Sequence, residues 1–292
     1  MAETVRKTLR LALVAAGLLL ALNLAAQKAD KKAAGFHFTW RQVAMDQSRT
    51  GTSMATADNV AEALGTFDGT TYVAPNGRRF KAHTTTARVA RALLDAQPAM
   101  AEVKTVIGYA PEAMKREGPE CALYNLIADL MMRATEKAAG KKVDFALTNR
   151  GGIRTDLPQG DIIVDDIASM LPFKNYMAYL ELKGADIRRV LEQLAAVPGF
   201  QVIGGARVVI KGGKLVSAEI GGKPLDDRRT YGVATNSFLL NGGDNIFMAR
   251  NALALEMYEI KMGDMLMEYV QAQTAAGLPI VYQTDGRVKV EE

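Results

Sequence analysis

Three short stretches hold the residues of this sequence best suited to gripping a small ligand. The first, Asn149-Arg150-Gly151-Gly152-Ile153-Arg154, directly follows an apolar run at 143–149. Paired glycines let a ligand approach backbone N–H groups closely, and Arg154 offers a planar fork suited to phosphate or carboxylate oxygens. A plain turn with a surface arginine accounts for the same residues equally well. The second stretch is Asn236-Ser237-Phe238-Leu239-Leu240-Asn241-Gly242-Gly243-Asp244-Asn245. Phe238 could stack a flat ring while Asp244 accepts hydrogen bonds from neighbouring hydroxyls. Asn-Gly-Gly-Asp is also good turn chemistry, and a phenyl ring there equally suits a core position. The third stretch is Leu171-Pro172-Phe173-Lys174-Asn175, where a lone aromatic beside proline is as much a packing residue as a stacking one.

Other chemistry is thinly provided. The chain lacks a G-x-S-x-G elbow, an H-E-x-x-H helix and a phosphate-binding G-x-x-x-x-G-K-[ST] loop, and none of its glycine pairs completes G-x-G-x-x-G. One cysteine, Cys121, permits no intrachain disulfide and no thiolate zinc site; at the first turn of a helix it reads as a small packed residue. Two histidines, His37 and His83, are too few for a histidine-rich binuclear metal centre. We therefore expect no catalytic residue, metal ligand or cofactor site in this chain.

The elements that must position the loops can be read from periodicity. A helix over 57–64 stopped by Gly65, a hairpin over 70–82 turning at Pro75-Asn76-Gly77, and a helix over 84–97 presenting Val89, Leu93 and Leu94 make up the early part. A strand at 104–110 follows. Glu120–Ala139 is the strongest helix, with Leu123, Leu126, Ile127, Leu130, Met131 and Ala134 on one face and Gly140 closing it. Further on we expect strands at 143–149, 175–183, 206–211, 214–220, 230–236 and 285–290, and helices at 165–171, 185–197 and 260–275. The segment 237–247 reads as a loop. This order predicts an α/β fold with a mixed sheet rather than a doubly wound one. Met257, Met262, Met265 and Met267 read as helix core, with a docking surface as the other reading.

The 292 residues have ordinary globular composition, 49% hydrophobic and 23% charged. Residues 1–26 read as a secretory signal peptide: Arg6, Lys7 and Arg10, then the 12-residue apolar run Leu11–Leu22, then a small-residue exit at Leu24-Ala25-Ala26. That run falls short of the ~20 residues a spanning helix needs. We expect cleavage after Ala26, no lipid anchor, no later membrane span, and a periplasmic or secreted location. Removing three basic and one acidic residue from the totals of 36 and 32 leaves a mature chain of net +2. Residues 27–35 read as a flexible lysine-bearing leader, so charge argues against polymeric nucleic acid as a partner. Residues 36–100 read as an N-terminal extension, and 101–292 as the ligand-binding domain. Residues 46–51 read as a polar loop.

Taken together the three stretches form an ordered triplet, N-x-G-G-I-R, L-P-F-x-N and S-F-x-x-N-G-G-D. The triplet closely resembles the C-terminal substrate-binding domain of 5′-nucleotidases, including the periplasmic UDP-sugar hydrolases. The resemblance runs from about Val103 to Val290 and includes the helix opening at Glu120-Cys121 and the closing Gly286-Arg287-Val288. It implies a layered mixed-sheet fold with an N-terminal extension. It also implies that Phe173 and Phe238 grip a nucleobase and that Asp244 binds ribose hydroxyls. Asn149, Gly151, Gly152, Asn241 and Gly243 would line the pocket, Arg154 would hold the anionic or ribose side, and Asn175 would orient the loop behind Phe173. The sequence departs from the family where Glu117, beside Arg116, replaces an arginine, and where Asn245 replaces glycine. The family's metallophosphatase domain, which holds two metals, is not visible; in its place stands segment 36–100. The resemblance thus implies the nucleotide-binding part of a split 5′-nucleotidase, with divalent metals on a separately encoded metallophosphatase subunit. A stand-alone nucleoside- or nucleotide-binding protein and a scaffold that no longer binds are the alternatives.

Overall fold

The computed structural model describes residues 59–291. The expected signal peptide, leader, His37 and the loop at 46–51 lie outside them. The described chain opens with helix α1 (Val60–Leu64). Strands β1 (Thr66–Asp68), β2 (Thr71–Val73) and β3 (Arg79–Lys81) follow as a three-stranded antiparallel sheet. The hairpin expected at 70–82 is β2–β3, with Tyr72 opposite Phe80.

Helix α2 (Thr85–Ala96) covers this sheet, capped by the Thr84 hydroxyl, which accepts from the Ala87 N–H at 3.3 Å. The helix is where expected, but its buried face is not. Ala87 and Ala90 pack with Tyr72, while Val89 and Leu93 are exposed. The three-residue strands are too short to cover a wide apolar stripe, so the close approach falls to the alanines.

The main body is built on a five-stranded mixed sheet in the order β13-β7-β12-β5-β8. Its strands are β5 (Phe145–Thr148), β7 (Tyr176–Lys183), β8 (Val202–Gly204), β12 (Thr230–Asn236) and β13 (Ala254–Lys261). β12 runs parallel to β5 and antiparallel to β7. β5, β7 and β12 are buried almost throughout, as strands covered on both faces must be.

One face carries helix α3 (Ala122–Ala139), which buries Leu123, Leu126, Ile127, Leu130 and Met131 and ends on the left-handed Gly140. Beside it in the same core lie α4 (Val164–Met170), α7 (Met262–Ala275) and the pair β4 (Val106–Ala110) and β6 (Gly160–Ile163). Met262 and Met265 belong to this core, as expected, whereas Met257 lies exposed on β13 rather than in a helix. The other face carries α5 (Gly184–Ala195) and a four-stranded sheet, β11-β10-β9-β14. In that sheet β9 (Ala206–Lys211), β10 (Lys214–Ile220), β11 (Lys223–Pro224) and β14 (Val288–Glu291) are joined antiparallel except for β14, which lies parallel to β9.

The α/β mixed-sheet class matches the expectation. Strands β1, β6, β8, β11 and β13 add to those the sequence predicts. The expected loop at 237–247 contains a short helix, α6 (Ser237–Leu240), and a 3-10 turn at Gly243–Asn245. No described helix is long and apolar enough to cross a membrane.

Candidate functional site

The sheet order brings the three stretches to one edge. β5 ends at Thr148 and β12 at Asn236, side by side and parallel, while β7 begins beside the end of β12, with Met177 opposite Asn236. The residues after β5, before β7 and after β12 therefore leave the sheet at the same place, where ligands commonly bind in α/β folds. β8 starts there too, since Val202 pairs with Thr148.

A buried polar hub ties the strand ends together. Asn236, fully buried, donates from Nδ2 to Thr148 Oγ1 at 2.8 Å and to Asn149 Oδ1 at 3.1 Å, and lies 3.4 Å from Met262 Sδ. Its Oδ1 accepts the Leu239 N–H at 3.0 Å and so caps α6. Ser237 Oγ accepts the Tyr176 N–H at 3.1 Å, joining the second loop to the start of β7. Every polar atom of the Asn236 side chain is thus partnered, as burial demands.

Asn149 is itself buried, at 5% exposure, with its carboxamide turned toward Asn236. It packs against Gly152, where an added Cβ would stand 2.9 Å from Asn149 Nδ2. Gly151 is exposed, with open space where a side chain would be. Its carbonyl accepts Arg154 Nη1 at 3.0 Å, and the Arg154 guanidinium lies 5.9 Å from the centre of the Phe173 ring. Arg154 thus joins the first and third stretches. Arg116 lies at the same loop, donating from Nη1 to the Ile153 carbonyl at 2.9 Å and from Nε to Asp156 Oδ1 at 3.1 Å.

Phe173 is 48% exposed and Phe238 37%, and neither ring contacts another aromatic ring among the described residues. Two phenyl groups this exposed at one sheet edge are not core residues. Phe238 lies on the backbone of Gly243: a Cβ there would fall 2.4 Å from Phe238 Cε1. Phe247 covers Gly242 in the same way, at 2.8 Å. Asn175 accepts the Met262 N–H at 3.3 Å through its carbonyl, which fixes the turn between Phe173 and β7 against the start of α7. Asn241 is exposed beside Gly242.

Asp244 and Asn245 take left-handed backbone angles, φ 53° and 61°. The departure at Asn245 is accommodated there, since asparagine tolerates that region better than most residues with a Cβ. Two glutamines that the sequence reading passed over hold this turn. Gln193 Nε2 donates to the Asn245 carbonyl at 2.8 Å, and Gln201 Nε2 donates to Asp244 Oδ2 at 2.8 Å. Gln201 Oε1 in turn accepts the Arg150 N–H at 2.6 Å. The one signal for Gln201 was a polar residue inside the apolar run Phe200-Gln201-Val202-Ile203.

Behind the first loop, Arg150 Nε donates to the Tyr124 hydroxyl at 3.0 Å. Burial pushes the Tyr124 hydroxyl above its usual range, against the opposing pull of Arg150. Cys121 lies nearby, buried, its thiol likewise pushed up by burial, which makes it a poor nucleophile. His83 is exposed. Among the described residues no group of three or more His, Cys, Asp or Glu side chains is arranged to hold a metal ion.

A sequence profile described as 5′-nucleotidase, C-terminal domain, matches residues 99–251, just over half of the chain. Protein UshA of Yersinia enterocolitica is 36% identical over 125 residues, covering 40% of this chain and 22% of that protein. Protein UshA of Escherichia coli is 30% identical over 152 residues, covering 50% and 27%. The chain thus spans about a quarter of the length of these curated relatives. Among solved structures, a 5′-nucleotidase precursor from Thermus thermophilus superposes with a TM-score of 0.62 at 30% identity, over 70% of this chain and 43% of that one. A profile match centred on the strand-end loops, together with a superposition over most of the described body, has one reading: this chain belongs to the 5′-nucleotidase C-terminal domain family.

Proposed function

We propose that the edge formed by the ends of β5 and β12 and the start of β7 binds a nucleoside or nucleotide. The base lies between Phe173 and Phe238, and the ribose hydroxyls donate to Asp244. Arg154 faces the anionic side, with the Gly151-Gly152 and Asn241–Gly243 backbones lining the pocket. Asn149 and Asn175 shape the two loops from behind. A flat base gains from two π faces, and a vicinal diol from a charged acceptor. The observation that carries this reading is the solvent exposure of both phenyl rings at the edge where Asp244 and Arg154 also emerge.

The larger assignment belongs to the same proposal. The chain is exported by the signal peptide at 1–26 and serves as the substrate-binding component of a split 5′-nucleotidase. A separately encoded metallophosphatase supplies the divalent metals and the hydrolytic water. The support is the family match at 99–251.

Calorimetric titration with adenosine, AMP and a UDP-sugar tests the binding site. Phe173→Ala and Phe238→Ala should each weaken the best ligand about ten-fold or more, since stacking on one ring contributes ~1–3 kcal/mol. Melting should barely move, because both rings are exposed. Unchanged affinity in both variants would remove the stacking site. Metal-dependent phosphatase turnover by the purified chain alone would remove the split assignment and leave the binding site standing. Binding without any co-purifying metallophosphatase would favour the stand-alone binding protein.

A further inference from the structure

We infer that Gln201 is a positioning residue that aims the Asp244 carboxylate and couples it to the Asn149–Arg154 loop. This rests on the reading of Asp244 as the ribose acceptor and adds to it the device that holds the acceptor in place.

The orientation of the Gln201 carboxamide follows from its neighbours. The Arg150 N–H can only donate, so the amide oxygen faces it, at 2.6 Å. The Asp244 carboxylate can only accept, so the amide nitrogen faces it, at 2.8 Å. A carboxamide supplies the donor and the acceptor side by side without adding charge. Gln201 stands one residue before β8, whose pairing with β5 fixes it beside the first loop, and it is half-buried. Asp244 has the opposite character: exposed, in a left-handed turn, on a loop reached through two glycines. Alone, such a carboxylate would sample several rotamers. The bond from Gln201 holds Oδ2 and leaves Oδ1 for a ligand, while Gln193 fixes the next peptide through the Asn245 carbonyl. The Arg150 guanidinium is turned away to Tyr124, so its backbone N–H is the group that Gln201 reads.

Gln201→Glu tests this with little change of shape. It keeps an acceptor for the Arg150 N–H and replaces the donor to Asp244 with a second carboxylate. Titrations compare adenosine with 2′,3′-dideoxyadenosine, which lacks the diol, using the wild type, Gln201→Glu and Asp244→Ala. The expected result is a loss of adenosine affinity of roughly ten-fold or more in Gln201→Glu, with dideoxyadenosine affinity unchanged. Equal losses for both ligands would mean a merely structural role and overturn the inference. Loss of the diol preference in Asp244→Ala but not in Gln201→Glu would overturn it alone. An intact diol preference in Asp244→Ala would bring down the ribose reading and this inference with it.

Discussion

At the scale of single residues, the edge depends on what glycine lets its neighbours do. Gly243 has no side chain, and the Phe238 ring lies in the space one would fill. The Gly243 backbone is not left-handed, so alanine fits locally and the conflict is with the ring alone. Because Phe238 is exposed, it can swing aside at small cost. Gly243→Ala should therefore lower stability by less than about 1 kcal/mol, yet weaken nucleoside binding nearly as much as Phe238→Ala. Paired titration and thermal melting check the two halves of that statement. A large drop in melting temperature would show that the ring supports the loop rather than serving a ligand.

At the scale of elements, the ends of β5 and β12 and the start of α6 are one unit because Asn236 serves all three. Asn236→Ala would remove the cap on α6 and leave Asn149 and Thr148 with a lost partner in a buried setting. The expected cost is about 2–4 kcal/mol, read by urea denaturation. The same elements explain how much was legible beforehand. α3 declares itself through Leu123, Leu126, Ile127, Leu130 and Met131, whose three- and four-residue spacing is that of one helix face. The hairpin at Pro75-Asn76-Gly77 is written in its turn residues. β8 and β6 are too short to show a period, and β13 alternates exposed Leu255 and Met257 with half-buried Glu256 and Tyr258, which hides it. On α2 the apolar Val89 and Leu93 face solvent and the alanines are buried, because burial there is decided by a sheet of three-residue strands. The site loops were legible as motifs, whereas their convergence was not. It follows from the non-sequential order β7-β12-β5-β8, and no local pattern encodes that. Gln201 was silent for the same reason: its partners lie 51 and 43 positions away.

At the scale of the whole molecule, the helix opening at Glu120 and the closing Gly286-Arg287-Val288 turn out to be partners. Glu120 Oε1 accepts the N–H groups of Asp285 and Gly286 at 2.8 and 3.1 Å, and Oε2 accepts that of Val288 at 3.2 Å. The buried Arg287 reaches both carboxylate oxygens of Asp129 on α3, at 2.8 and 3.1 Å, and pairs with Asp285 at 2.9 Å. The hydrogen bonds from Arg287 hold the Asp285 carboxyl below its usual 3.8. A carboxyl depressed by folding contributes stability above its unfolded value and loses it as pH falls through the folded one. The melting temperature of Asp285→Asn should therefore lie below that of the wild type at pH 7. The gap should close as pH is lowered past about 3.8. A gap that stays constant from pH 7 to pH 3 would show that the ion pair contributes nothing through its charge.

This clasp also sets an order of events during folding. β14 supplies an outer strand of the four-stranded sheet, and its neighbour Arg287 fills a buried position against α3. A nascent chain can form α3 early, but Glu120 and Asp129 must wait for partners more than 150 positions downstream. Until the segment 285–288 has docked, those two carboxylates have only water and short-range neighbours to satisfy them, and a chain cut before that segment would hold an unclosed domain.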